Sequence, residues 1–168
     1  DGASASLVGE VPLNGGKALT ATAGLVLYEN KLVSVHGTTP ISSFLPWMNA
    51  ASWANGVTQV EIFDASGALP ASRWRYEVDG YLITSRRIDA KLYLVTRFTP
   101  LVPGFVFGST APTVLAANRQ ALANAGLDGM LPKARLDNGA PQPALAASDV
   151  YAPPQGTRRA SPDLIMVT

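Results

Sequence analysis

One histidine, His36, limits the acid–base chemistry open to this chain. A Ser–His–Asp triad would have to use it as the base. It closes the run KLVSVH just before Gly37-Thr38-Thr39, a strand end, and reads as a structural or exposed residue. Zinc needs about three or four N, S or O ligands gathered together, and the sequence holds no such cluster and no cysteine. Calcium has two candidate places, Asp64 with Ser66 and Asp137 with Asn138, each helped by backbone carbonyls. Neither is a dense acidic loop, and turn chemistry accounts for both, so no cofactor is expected. Glu61, Glu77 and Asp79 are close in sequence, but they are expected to answer arginines on neighbouring strands.

Binding chemistry has two candidate groups. Arg73, Arg75, Arg86, Arg87 and Arg97 would make an anion-binding patch if adjoining strands brought them together. The plainer expectation puts Arg73 and Arg75 on a solvated face and ties Arg86 or Arg87 to carbonyls or carboxylates between sheets. Phe44, Trp47 and Trp53 lie in the long loop PISSFLPWMNAASWANG and would form an aromatic platform for sugar or peptide. Packing inward to hold the loop down is the competing role for them. Arg158-Arg159 stands in a Pro/Gly-rich stretch of the kind proteases nick, though ordinary loop exposure explains it equally.

The elements that must position these residues centre on Arg73 to Thr99. Trp74, Tyr76 and Val78 alternate with Arg73, Arg75 and Glu77, as the two faces of a strand do. Asp79-Gly80 supplies a turn. Tyr81 to Ile88 is a second strand, and Lys91 onward a third, with apolar residues on both sides and hence cover expected on both faces. β-branched and aromatic residues at this density argue against a helix.

The same grammar occurs earlier. Gly24 to Tyr28 and Lys31 to His36 form a strand pair around Glu29-Asn30. ENKLVSVHGTTP aligns with DAKLYLVTRFTP at an offset of 60, Lys31 to Lys91, and Leu13-Asn14-Gly15 aligns with Val78-Asp79-Gly80. A strand-only repeat of roughly 40–60 residues suggests propeller blades. On this reading 6–13 is the outer strand of a preceding blade, 24–78 a first full blade and 81–168 a second. Thr58 to Asp64 supplies the third strand of the first blade, and Arg73 to Val78 its outermost. Residues 100–162 are then an insertion. It holds a helix at Thr113 to Ala125, with Pro112 near its start and Gly126 after its end. Leu127 is expected to accompany the glycine cap, Asp137-Asn138-Gly139 to turn tightly, and Leu164 to Val167 to form a last strand.

Composition narrows the rest. The chain has 168 residues, 47% hydrophobic and 15% charged, with Gly 15 and Pro 13, a turn-rich globular profile. A net charge of +1 offers no case for nucleic acid or an anionic membrane as partner. No apolar run approaches the roughly 20 residues of a membrane span. Freedom from cysteine rules out a disulfide framework and fits an exported protein. The opening DGASASLVGEV is not a signal peptide, so any such segment would lie upstream.

The phrases VEIFDASGALPASRWRYEVDGYLITSRRIDAKLYLVTRF and LDGMLPKARLDNG…PALAASDVYAPP resemble the secreted bacterial and archaeal proteins with a C-terminal β-propeller domain. The resemblance covers most of 57–168 and more loosely 6–40. It implies export to the periplasm, the medium or the cell surface, and an all-β propeller, and it carries no catalytic residues over. Closed propellers need at least about four blades, so an incomplete propeller is expected here. Remaining blades, self-association or another protein chain would complete it. The functional expectation is a non-enzymatic extracytoplasmic binding or assembly module, ligand unspecified. The alternative is the propeller portion of a secreted hydrolase whose catalytic residues lie outside this chain, since one fold hosts both.

Overall fold

A computed structural model describes residues 10, 13, 21–37, 56–67, 69–151, 154, 156, 157 and 163–168. Alternating apolar residues make β1 (Ala21–Tyr28), β2 (Lys31–Gly37), β3 (Val57–Asp64) and β4 (Ala71–Asp79) into neighbouring antiparallel strands of one sheet. After Gly80 the chain starts a second sheet with β5 (Tyr81–Ile88) and β6 (Lys91–Phe98). Next come helix α1 (Pro112–Ala125), β7 (Lys133–Leu136), β8 (Gln142–Pro143), a 3-10 turn at Ala147–Asp149, and β9 (Leu164–Val167). The first sheet runs β1-β2-β3-β4-β7-β8 and the second β5-β6-β9. The architecture is all-β with one helix, as expected from the sequence.

The hairpins β1-β2 and β5-β6 share one register at an offset of 60. Tyr28 faces Lys31 and Ile88 faces Lys91, and each pairing shifts at the same place, between Thr22 and Gly24 and between Leu82 and Thr84. Their turns match as well, with Glu29 and Asp89 in the left-handed region at φ 53 and 52. The third strands align too, since Val35 pairs with Val60 and Val95 with Val167.

The insertion departs from expectation. Rather than staying with the second sheet, it lays β7 along β4, with Tyr76 opposite Leu136 and Val78 opposite Ala134. β4 is therefore not the outermost strand, and it begins at Ala71, before Arg73. The anchors are side chains: Asp79 accepts from the Lys133 amide at 3.0 Å, and Asp137 from the Arg75 amide at 2.8 Å. Asp137 and Asn138 take φ 47 and 61, and the Gly139 amide donates to the Leu136 carbonyl at 2.8 Å. Positive φ at both central positions makes this a type I′ turn. The helix ends at Gly126, φ 64, and Leu127 after it is 52% exposed. Its buried residue is Asn118, whose amide closes two 2.8 Å hydrogen bonds on the Val106 backbone. The expected outer strand at 6–13 lies almost wholly outside the described residues, and Leu13 stands in a 3-10 turn.

The core sits between the sheets. Val35 and Val60 of the first pack on Leu82 and Leu94 of the second, flanked by Val33, Trp74, Tyr76 and Leu92. The joint is tight at Gly56, where a Cβ would stand 2.9 Å from the Tyr81 nitrogen. Gly80 at φ 128 makes the crossing, its carbonyl held at 2.9 Å by the Thr58 hydroxyl.

Candidate binding surface

Where the two sheets diverge they leave a cleft of about 460 Å³. Period-2 alternation puts Val26, Val33, Val60 and Ile62 of the first sheet on its floor, with Leu92 and Leu94 opposite. Trp74 and Tyr76, two apart on β4, stack with ring centroids 5.9 Å apart and planes 9° from parallel. At the rim the Arg87 guanidinium lies 4.8 Å from the Tyr28 ring centroid and donates to the Asp89 carbonyl at 3.0 Å. Lys31 and Lys91 complete the rim. Burial raises the Tyr76 phenol above its ordinary pKa, and its hydrogen bond with Thr168 works against that shift. Such a cleft can hold an apolar or planar group beside cations.

The five arginines do not form one patch. Arg87 lines the cleft. Arg86 pairs opposite Tyr93 on the other face of β5 and is exposed. Arg73 reaches Asp64 at 3.3 Å in the open. Arg75, expected on a solvated face, is instead half-buried and reaches Glu61 at 3.3 Å. Arg97 is held by Asp163. Two of the three carboxylates answer arginines on neighbouring strands, Glu61 with Arg75 and Glu77 with Arg135 at 2.6 Å, whereas Asp79 accepts from the Lys133 amide. Phe44, Trp47 and Trp53, together with Arg158-Arg159, lie outside the described residues.

His36 is buried, with Nε2 3.0 Å from the Oγ of Ser34, itself fully buried. Burial lowers its pKa below 6.5; Glu61 pulls the other way and Arg75 reinforces the drop. The pair resembles a catalytic dyad only in atom types, because no substrate reaches a serine sealed from solvent. Glu61, directly opposite Ser34, also accepts from Ser72 at 2.6 Å. The alternation of Ser34 and His36 along β2 is the one local hint of this network. Its partners arrive from strands whose register only the folded chain reveals.

Asp64 accepts from the Ser66 hydroxyl and amide at 2.6 and 3.0 Å, which holds its carboxyl below the usual range. Asp137 is engaged by Arg75. Among the described residues no group of three or more His, Cys, Asp or Glu gathers as a metal site would require. Among them, too, no helix is long and apolar enough to cross a membrane.

Two antiparallel sheets packed face to face, with hairpins in matching register, define blades of a propeller-type architecture, here incomplete. The family of the beta propeller domain matches residues 2–168, and the chain belongs to that family. No curated protein and no solved structure matches it.

Proposed function

We propose that this chain is a non-enzymatic, extracytoplasmic binding and assembly module that works through the faces of its blades. One observation carries the reading: the outer face of the second sheet leaves large apolar side chains exposed, beside Arg86 and Lys91, with nothing among the described residues laid over them. Ile88, Tyr93, Ile165 and Val167 on that face are 49%, 37%, 61% and 66% exposed. By register they stand where Tyr28, Val33, Thr58 and Val60 stand in the first sheet, the face that packs on its neighbour. Exposed apolar surface rimmed by polar residues marks an interaction site. The cysteine-free composition and the likeness to secreted propeller proteins support an extracytoplasmic setting. The cleft beside Trp74 and Tyr76 is a second place for a ligand.

The test uses the full chain and the dye 8-anilinonaphthalene-1-sulfonate as an apolar probe. Ile88→Lys with Tyr93→Lys should remove most of the dye fluorescence while the circular dichroism spectrum is kept. Unchanged dye binding with the fold intact would refute the face as a binding surface. An ester- or peptide-hydrolysing activity that disappears in His36→Ala would refute the non-enzymatic reading.

A further inference from the structure

The cleft between the sheets is apolar inside and cationic at its mouth, and each hairpin supplies one side of that mouth. On the first sheet Tyr28 pairs with Lys31, Val26 with Val33, and Val33 in turn with Ile62, so all five stand on one face. On the second, Arg87 pairs with Leu92, two positions before Leu94. These residues all line the cleft. Lys31 and Arg87 therefore reach the mouth from opposite walls, both exposed, with Arg87 already 4.8 Å from the Tyr28 ring centroid across the gap.

The charges there do not cancel. Among the described residues Lys31, Arg87 and Lys91 form no ion pair, and Arg87 engages the Asp89 backbone through Nη1 alone. Among the described residues that line the cleft, Asp89 alone has a carboxylate side chain against these three cations. Asp64, opposite Lys31 on β3, is held instead by Ser66 and Arg73. Behind the mouth, the aliphatic walls and the near-parallel Trp74 and Tyr76 rings offer flat apolar surface. A volume of about 460 Å³ is that of a small-ligand site.

We propose that this cleft binds a small planar aromatic carboxylate, its rings between the sheets beside Trp74 and its carboxylate between Lys31 and Arg87. The guanidinium fork matches a carboxylate, and Lys31 adds a second donor from the facing wall. A cationic ligand would meet like charge at the mouth, and a neutral one would forgo the charge-assisted bonds. The assignment rests on the binding-module reading above and gives its cleft a ligand class, apart from the outer face.

Calorimetric titration of the full chain with 2-naphthoate, and with its neutral counterpart 2-naphthalenemethanol, tests this without the dye that reads the outer face. At low salt naphthoate should bind at least about tenfold more tightly than the alcohol, an advantage that shrinks as salt screens the exposed mouth. Lys31→Gln with Arg87→Gln should lower naphthoate affinity at least about tenfold and leave that of the alcohol unchanged. Lys31→Gln alone, which keeps Arg87 on Tyr28, should lower it about threefold and carries the test if the double variant misfolds. Ile88→Lys with Tyr93→Lys should not weaken it. Equal affinity for the two compounds, or naphthoate binding that survives the loss of both cations, overturns the assignment. Naphthoate binding that disappears in Ile88→Lys with Tyr93→Lys also overturns it, by moving the site to the outer face. A chain that takes up no naphthoate overturns it as well, and leaves the dye result on that face standing.

Discussion

The hairpins β1-β2 and β5-β6 share a register but fill it differently. Ser34 and His36 of the first correspond to Leu94 and Thr96 of the second, and Glu61 corresponds to Thr168. In the second sheet that face meets the first sheet's valines through Leu82 and Leu94. In the first sheet it is a buried polar network: Ser34 on His36, and Glu61 bonded by Ser72 and Arg75. The opposite faces differ in the reverse sense, closed in the first sheet and open in the second. One backbone register thus accommodates two kinds of interior, and local pattern alone does not tell which neighbour a face will meet.

The strongest way to break the contrast is to unbalance the first sheet's network. Glu61→Ala leaves the Arg75 guanidinium without its carboxylate in a site where its own side chain is 16% exposed. A cost of about 3–5 kcal/mol is expected, read as a shift in the urea midpoint at unchanged slope. A cost below about 1 kcal/mol, as for a surface pair, would mean the network is wet and the contrast false.

Next in size is Leu94→Ala, which truncates the side chain occupying Ser34's place in the second sheet. It touches the core shared by both sheets, so about 2–5 kcal/mol is expected, lost in one transition. Two separated transitions would show that the sheets unfold independently. Asn118→Ala should cost less, about 1–3 kcal/mol, since it leaves the Val106 amide and carbonyl without partners. Its effect should fall on the insertion, as faster amide exchange at Val106, with β1–β6 unaffected.

Much of this fold was legible because its signals are local. Asp79-Gly80, Asp137-Asn138-Gly139 and the Pro112 to Gly126 bracket each act within a few residues, and each stands where its residue types require. The offset between Lys31 and Lys91 was legible for the same reason. β7 on β4 was not, since Glu77 and Arg135 are far apart in sequence and neither advertises the other. Arg75 misled because an alternating charge is ordinarily solvated, whereas here it is half-buried against Glu61. Lys91 to Phe98 was expected to be covered on both sides, yet Tyr93 is 37% exposed because nothing among the described residues packs there. The candidate surface was the least legible part. Among the described residues Arg87 is the expected binding residue that reaches the cleft, and the stacked Trp74 and Tyr76 beside it were legible only as one face of a strand.

The smallest effect gives the sharpest comparison, because Thr96 holds in the second sheet the place His36 holds in the first. Burial lowers the folded-state pKa of His36 below 6.5, with Arg75 adding to the shift and Glu61 opposing it. Above that value His36 is neutral whether the chain is folded or not, and it adds no pH dependence. As pH falls through about 6.5 the unfolded chain takes up a proton that the folded chain resists, so stability declines, by at most about 1.4 kcal/mol per pH unit. Urea unfolding between about pH 5.5 and 7.5, above the usual carboxylate range, isolates this step. His36→Thr, which installs the second sheet's residue, should flatten the profile in that window. An unchanged slope in the variant would remove His36 as its source. Stability that rose on acidification in the wild type would mean that Glu61 outweighs burial.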